Sequence, residues 1–182
     1  GHELVASVII HVLEQIRVSA GMEVKSDSGE AEKVPLTANA YEDSIRYQND
    51  SAVFTANGFV ADQDRQDGIT DIFKNGWTAN QKGATITFEV EGSCIGIQYR
   101  KTIKLPAPVA EVVIDDDSTH AVRLDANFDE TWGDKLQLDT IAEHIEKGKH
   151  KVQITITETH ETDQLPFYLV SVIASGKEII NI

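Results

Sequence analysis

Alternating hydrophobic and polar residues run through most of the chain between residues 84 and 174. In the stretch Ala84 to Arg100 (ATITFEVEGSCIGIQYR), apolar residues alternate with polar ones on both sides of a Glu-Gly-Ser turn. A period of two indicates strands with one buried face, and two such runs joined by a short turn predict an antiparallel hairpin. Because a hairpin cannot bury its apolar face alone, the pattern also predicts a second layer of strands.

The same alternation recurs towards the C-terminus. Val109 to Ile114 and Ala121 to Leu124 flank an aspartate-rich turn and predict a second hairpin. Lys151 to Thr157 predicts a half-buried strand and Pro166 to Ala174 a strand buried on both faces. Leu136 to Ile145 fits either a strand or one face of a helix, and we favour a strand. About eight to ten strands between residues 40 and 182 predict an all-β fold, an antiparallel β-sandwich of jelly-roll type.

The N-terminal region follows a different pattern. From Glu3 to Val18 apolar residues recur at helical spacing, and Gly21 follows as a stop, which predicts one amphipathic α-helix. Residues 21 to 37 are polar and show no period, which is typical of a flexible linker. The predicted organisation is therefore a terminal helix in residues 1 to 20, a linker in residues 21 to 37 and a β-sandwich domain in residues 38 to 182.

Composition narrows the range of partners. The formal net charge is −14 and the pI is about 4.7, which argues against nucleic acid and anionic membranes, because phosphate binding needs a basic surface. No segment approaches the roughly 20 apolar residues of a membrane span. The single cysteine, Cys94, excludes an internal disulfide, and its place in a predicted strand indicates a structural role.

No catalytic constellation is readable in the sequence. The six histidines are scattered, and none pairs at a metal-ligand spacing on a predicted helix. The serines lack a Gly-x-Ser-x-Gly or Gly-Asp-Ser context. We therefore predict no catalytic residue and no required cofactor.

A run of aspartates raises the possibility of calcium. Asp62, Asp64 and Asp67 resemble the start of an EF-hand loop, but the third comes one residue late and position 12 is Phe73 instead of glutamate. The EF-hand interpretation fails. A calcium site completed by distant oxygens stays open for these three aspartates, and a solvated acidic loop is the alternative.

Sugar binding has a clearer physical basis. Pyranose rings stack their C–H faces on exposed aromatic rings, while carboxylates and amides bind their hydroxyls. Trp77 and Trp132 both fall in predicted turns or loops beside such polar residues. The alternative is that either tryptophan caps the core of the sandwich. The candidate sugar-binding residues are Trp77, Trp132, Tyr41, Tyr47, Asn75, Asn127 and Asp129.

The N-terminus resembles the end of an SGNH (GDSL-type) hydrolase domain. Gly1-His2-Glu3-Leu4-Val5-Ala6 followed by an amphipathic helix is similar to the Gly-His pair and last helix that follow the Asp-x-x-His-Pro-Asn catalytic block of that family. The resemblance implies that the catalytic Asp and His precede Gly1 and that the nucleophilic serine is absent from this sequence. It also implies that His2 is not a general base.

The region after residue 40 resembles the β-sandwich modules attached to bacterial glycan-active esterases and glycoside hydrolases. The shared features are the Gly148-Lys149-His150 turn leading into an alternating strand and the closing aromatic strand. Together the two resemblances imply a non-catalytic accessory module of a bacterial SGNH-type esterase, extracellular or at the cell surface, whose partners are a polysaccharide or oligosaccharide and the upstream esterase domain. The alternative is a structural sandwich that packs on the esterase domain or mediates oligomers. Exposure of Trp77 or Trp132 distinguishes the two.

Overall fold

The N-terminal segment is helical, as predicted. A computed structural model describes residues 2–19, 41, 43–65, 68, 71–130 and 132–176, and the chain divides into two compact units, Gly1–Leu36 and Thr37–Ile182. In the first unit, helix α1 spans His2–Ser19. The apolar side chains of this helix, such as Leu4, Leu13 and Ile16, are exposed. Neither α1 nor any other described helix has the length and hydrophobicity needed to cross a membrane. The predicted linker, residues 21 to 37, lies outside the described residues.

Eleven strands make up the described part of the second unit. They are β1 Ile45–Tyr47, β2 Phe54–Asn57, β3 Val60–Ala61, β4 Trp77–Ala79, β5 Thr85–Gly92, β6 Cys94–Lys101, β7 Val109–Ile114, β8 Val122–Asp125, β9 Lys135–Ala142, β10 Gly148–Glu158 and β11 Phe167–Ser175.

The strands form two antiparallel sheets. The first sheet has the order β3-β4-β11-β6-β9, with β1 also paired to β11, and the second has the order β2-β5-β10-β7-β8. Alternate residues of both sheets point into one shared core, which includes Phe88, Ile97, Val152 and Phe167. The all-β antiparallel sandwich preceded by one helix is therefore confirmed.

The predicted hairpin between Ala84 and Arg100 does not form, because its two strands belong to different sheets. β5 and β6 follow one another with only Ser93 between them, yet β5 pairs with β10 and β2, whereas β6 pairs with β11 and β9. The turn at Gly92 carries the chain from one sheet to the other. Gly92 packs so closely on β11 that an added Cβ would lie 2.7 Å from the carbonyl oxygen of Ser175, and the Ser93 N–H donates to the same oxygen. Alternation placed the strands correctly but could not tell a hairpin from a crossing between layers.

Two other strand predictions are confirmed. β7 and β8 pair antiparallel, with Val112 opposite Val122. The ambiguous stretch after residue 135 is the edge strand β9, paired with β6.

Candidate functional site

Trp77 is a core residue. It lies on β4 with 0% of its surface exposed, and its ring meets Phe54 and Phe88 edge to face at centroid distances of 5.2 and 5.1 Å. A sugar cannot reach this ring in the folded chain, so its assignment to a sugar site is wrong. The physical reason is that Trp77 begins a short strand whose first and third residues face the core.

Trp132 has the opposite environment. It is 66% exposed and lies in the connection between β8 and β9. Its ring meets that of Phe128 edge to face at 5.5 Å, and the Lys135 ammonium lies 5.6 Å from the Phe128 ring centroid. We call the described residues 126–130 and 132–134 the Trp132 loop. Its aromatic pair offers a solvent-facing apolar corner next to a cation.

The Trp132 loop is tied down at both ends by one buried residue, Thr102. The Thr102 N–H donates to Ala126 O at 2.8 Å, and Phe128 N–H donates to Thr102 O at 3.0 Å. The Thr102 hydroxyl donates to Asp134 Oδ1 at 2.7 Å. Thr102 is only 2% exposed. Because it is packed in the protein, its bonds restrain the loop that carries the exposed aromatic residues.

Asp134 also connects the loop to a half-buried arginine, Arg100. Arg100 Nε, on β6, lies 3.9 Å from Asp134 Oδ2. Arg100 Nη2 donates to Pro166 O at 3.0 Å. Its guanidinium carbon is 5.4 Å from the Tyr168 ring centroid and 5.8 Å from that of Phe73. Sequence reasoning missed Arg100 and Thr102, because contacts between distant strands leave no mark in local alternation.

Two of the three calcium candidates, Asp62 and Asp64, are engaged in hydrogen bonds and an ion pair within the protein. Tyr168 donates its hydroxyl to Asp62 Oδ2 at 2.5 Å, and Asp64 N–H donates to Asp62 Oδ1 at 2.9 Å. Burial and the bond to Asp62 raise the pKa of Tyr168. The Asp64 carboxylate pairs with Lys74 at 3.5 Å, and Asp67 lies outside the described residues. Across the part of the chain that the structure describes, no three His, Cys, Asp or Glu side chains converge as a metal site.

Asn127 and Asp129 share the loop with Trp132 but differ in role. The Asn127 side chain accepts from Ala107 N–H at 3.0 Å and donates to Ala107 O at 3.1 Å and to Asp125 at 2.7 Å. Its amide therefore anchors the segment that precedes β7 and is already hydrogen-bonded. Asp129 is exposed and stays a candidate beside Trp132.

The remaining candidates belong to other segments of the chain. Asn75 precedes β4 and accepts from Arg65 Nη1 at 3.5 Å. Tyr47 on β1 packs against the core. Tyr41 is 56% exposed and donates to Glu143 at 2.7 Å, which raises the pKa of its phenol. The structure therefore brings together three of the seven candidates, namely Asn127, Asp129 and Trp132.

Comparison with known proteins finds similarity to one part of an esterase. No protein-family model matches the chain, and a search of curated proteins finds no similar sequence. Among solved structures, a two-domain esterase (CEX) active on acetylated mannans is 56% identical, with a TM-score of 0.83 over 98% of this chain and 47% of its own. The chain resembles one half of an esterase. The same esterase co-crystallised with mannopentaose matches equally at 56% identity, with a TM-score of 0.82 and 46% of its length covered.

More distant structures share the fold. A CBM35 module from Cellvibrio japonicus Abf62 is 15% identical, with a TM-score of 0.50 over 74% of this chain and 94% of its own. A family two carbohydrate esterase from Cellvibrio japonicus is 14% identical, with a TM-score of 0.51 over 74% and 34%. The resemblance to a carbohydrate-binding-module-like β-sandwich attached to an esterase is therefore confirmed. The chain spans about half the length of the esterase that it matches at 56% identity.

Proposed function

We propose that this chain is a non-catalytic accessory module of a mannan-active esterase and that it binds mannan through the Trp132 loop. The observation that carries the proposal is the 66% exposure of Trp132 beside Phe128 on a loop anchored at both ends. The 56% identity to an esterase active on acetylated mannans supports mannan as the class of polysaccharide. We assign no residue of this chain a catalytic role.

The geometry of the loop suits a sugar ring. Trp132 offers an apolar face for the C–H groups of a pyranose, and Asp129 and Glu130, both exposed, offer carboxylates for its hydroxyls. Thr102 restrains the loop before a ligand arrives, which lowers the entropy that binding must overcome. The Lys135 ammonium beside Phe128 adds a donor.

We also propose the place of this module in a longer protein. Helix α1 has an apolar stripe that needs a partner, and we assign residues 1 to 20 to the end of an upstream SGNH-type hydrolase domain, with residues 21 to 37 as the linker. The parent enzyme is then a bacterial esterase acting outside the cell or at its surface, where polysaccharides lie. Limited proteolysis followed by mass spectrometry tests the linker, which we expect to be cleaved before the sandwich.

Tryptophan fluorescence tests the sugar site directly, because the chain has two tryptophans in opposite environments. In the variant Trp77→Phe only Trp132 emits, and we expect a saturable change on titration with mannopentaose. Isothermal titration calorimetry on Trp132→Ala should show a loss of affinity of about two- to twelvefold, since stacking on one aromatic contributes about 0.5–1.5 kcal/mol beyond area burial. Tyr41→Ala is the matched control, since it removes an exposed aromatic away from this loop.

Two outcomes would contradict the proposal. Equal affinity in the Trp132→Ala variant would remove the loop from the site. Absence of binding to mannopentaose and to acetylated and deacetylated mannan would instead favour a sandwich that serves as a structural or oligomer-forming domain without binding sugar. Sedimentation velocity on the unaltered chain then distinguishes a monomer from an oligomer.

A further inference from the structure

The outer face of the first sheet carries a hydrogen-bonded row of three polar side chains. Arg46 on β1 donates from Nε to Ser171 Oγ on β11 at 3.1 Å. Ser171 in turn donates to Gln98 Oε1 on β6 at 2.7 Å. Ser171 has no exposed surface, so the middle of this Arg46 row is covered by protein, whereas Gln98 is half-buried and Arg46 reaches solvent.

The direction of these bonds determines what remains available for a ligand. Because the Ser171 oxygen accepts from Arg46, its own proton goes to the Gln98 carbonyl oxygen, and the Gln98 amide N–H₂ makes no hydrogen bond with a described residue. The terminal nitrogens of Arg46 are also unused, since its Nε makes the bond to Ser171 and its side chain makes no other hydrogen bond or ion pair with a described residue. The unused hydrogen atoms of the row, on Arg46 and on the Gln98 amide, are therefore available as donors to a ligand.

Among the described residues, no carboxylate balances the positive charge of the row. The chain carries 30 acidic residues, yet within the described ranges no carboxylate lies within ion-pair distance of Arg46. The other arginines of the sandwich, Arg65, Arg100 and Arg123, each meet a carboxylate. Arg46 is thus the exception, in a chain with many potential partners.

Apolar side chains flank the row. Leu138 on β9 lies directly opposite Gln98 and is 52% exposed, and Ile173 lies directly opposite Arg46. Between them Gly96 has no side chain, and an added Cβ would lie 3.2 Å from Leu138 Cδ1. Apolar neighbours exclude water and strengthen a charge-assisted hydrogen bond.

We propose that the Arg46 row is a carboxylate-binding site, in which the terminal nitrogens of Arg46 hold both oxygens of a carboxylate and the Gln98 amide donates to one of them. Planar carboxylates match the paired N–H groups of a guanidinium, and a neutral sugar hydroxyl does not use its charge. The site lies on the sheet face and does not depend on mannan binding at the Trp132 loop.

The test is an NMR titration of the full chain with sodium acetate and, separately, with sodium glucuronate, at a constant ionic strength of about 0.15 M, where screening limits the field of distant acidic residues. We expect saturable shifts of the Gln98 side-chain amide and of the Ser171 and Ile173 backbone amides. Sodium chloride and methyl mannoside should not produce them. Acetate alone, or both carboxylates, would support the site, and stronger binding of glucuronate would identify a sugar acid as the better ligand.

Variants separate the site from general electrostatics. Arg46→Gln should weaken carboxylate binding at least tenfold, and Gln98→Leu severalfold. Arg46→Lys keeps the charge but loses the paired donors, so it should also weaken binding, and it serves in place of Arg46→Gln should that variant not fold. Arg123→Gln is the matched control, because Arg123 already pairs with Glu158 and Asp125. Absence of saturable shifts, or equal shifts in Arg46→Lys or with methyl mannoside, would overturn the proposal.

Discussion

Trp77 and Trp132 are the two tryptophans of this chain, and they occupy opposite environments. In sequence they look alike, since each follows or precedes a glycine and stands among polar residues. In the fold, Trp77 has no exposed surface and Trp132 has 66%. Each meets phenylalanine rings edge to face. The aromatic contact is therefore shared, and what differs is whether a second sheet covers it.

The comparison shows what makes an aromatic residue available for binding. Trp77 lies on β4, and its ring packs on Phe88 of the opposite sheet. Trp132 lies in a loop whose hydrogen bonds to Thr102 use the backbone and Asp134, not the indole. The loop can thus be rigid while its aromatic ring stays in solvent.

Removing Trp77 should have the largest effect. Trp77→Ala leaves a cavity between Phe54 and Phe88, and we expect a loss of about 3–5 kcal/mol in the free energy of unfolding. Urea denaturation followed by circular dichroism measures the loss. Trp77→Phe should lose much less because it retains a ring. A loss below about 1 kcal/mol for Trp77→Ala would show that the ring does not hold the two sheets together.

Removing the anchor of the Trp132 loop should have an intermediate effect. Asp134→Ala deletes the acceptor of the Thr102 hydroxyl and the ion-pair partner of Arg100, two groups with little exposure. We expect a loss of about 1–2 kcal/mol in unfolding free energy and severalfold weaker mannopentaose binding. Calorimetry of both properties checks this. Asp129→Ala is the control for stability, since Asp129 is exposed. Unchanged binding in Asp134→Ala would mean that the loop holds its shape without this anchor.

The pair of His150 and Asp115 should make a pH-dependent contribution to the free energy of unfolding. Burial alone would lower the pKa of His150, but hydrogen bonds to Asp115 at 2.7 Å and to Glu146 O at 2.8 Å outweigh it and raise that pKa above its ordinary 6.5. The bond to His150 lowers the pKa of Asp115.

The two pKa shifts determine how stability changes with pH. The raised pKa of His150 means that its stabilisation is complete below pH 6.5 and is lost as pH rises through its folded-state value. The lowered pKa of Asp115 means that its stabilisation is lost in acid, as pH falls through its folded-state value. We expect the His150 contribution to be below about 1 kcal/mol. Thermal unfolding of the unaltered chain and of His150→Gln between pH 5 and 9 measures it; identical pH profiles would exclude the pair as its source.

Removing Trp132 should affect stability least. Trp132→Ala deletes an exposed ring outside the core, and we expect less than about 0.5 kcal/mol of change in unfolding free energy. Acrylamide quenching gives an independent check, with strong quenching of the tryptophan in Trp77→Phe and weak quenching of the tryptophan in Trp132→Phe. Strong destabilisation by Trp132→Ala would place this ring in the core and remove the contrast with Trp77.

Sequence reasoning reached the fold class more securely than the candidate site. The alternation at Lys151 to Thr157 and the apolar run at Pro166 to Ala174 correspond to β10 and β11, because a strand with one covered face must alternate, whereas a strand covered on both faces need not. The candidate site was predicted in part. Aromatic residues among polar neighbours pointed to Trp132, which is exposed, but the same rule also selected the buried Trp77 and Tyr47, which packs against the core.

The sequence by itself determined where the helix and the long strands lie, and that the strands must form two layers, because the period of hydrophobic residues is a local property of the chain. Only the tertiary structure decided that β5 and β6 belong to different sheets, that Trp77 is covered and Trp132 is not, and that Arg46, Ser171 and Gln98 meet. These depend on contacts between residues far apart in sequence. Such contacts are selected by how the two sheets pack, and no local pattern records them.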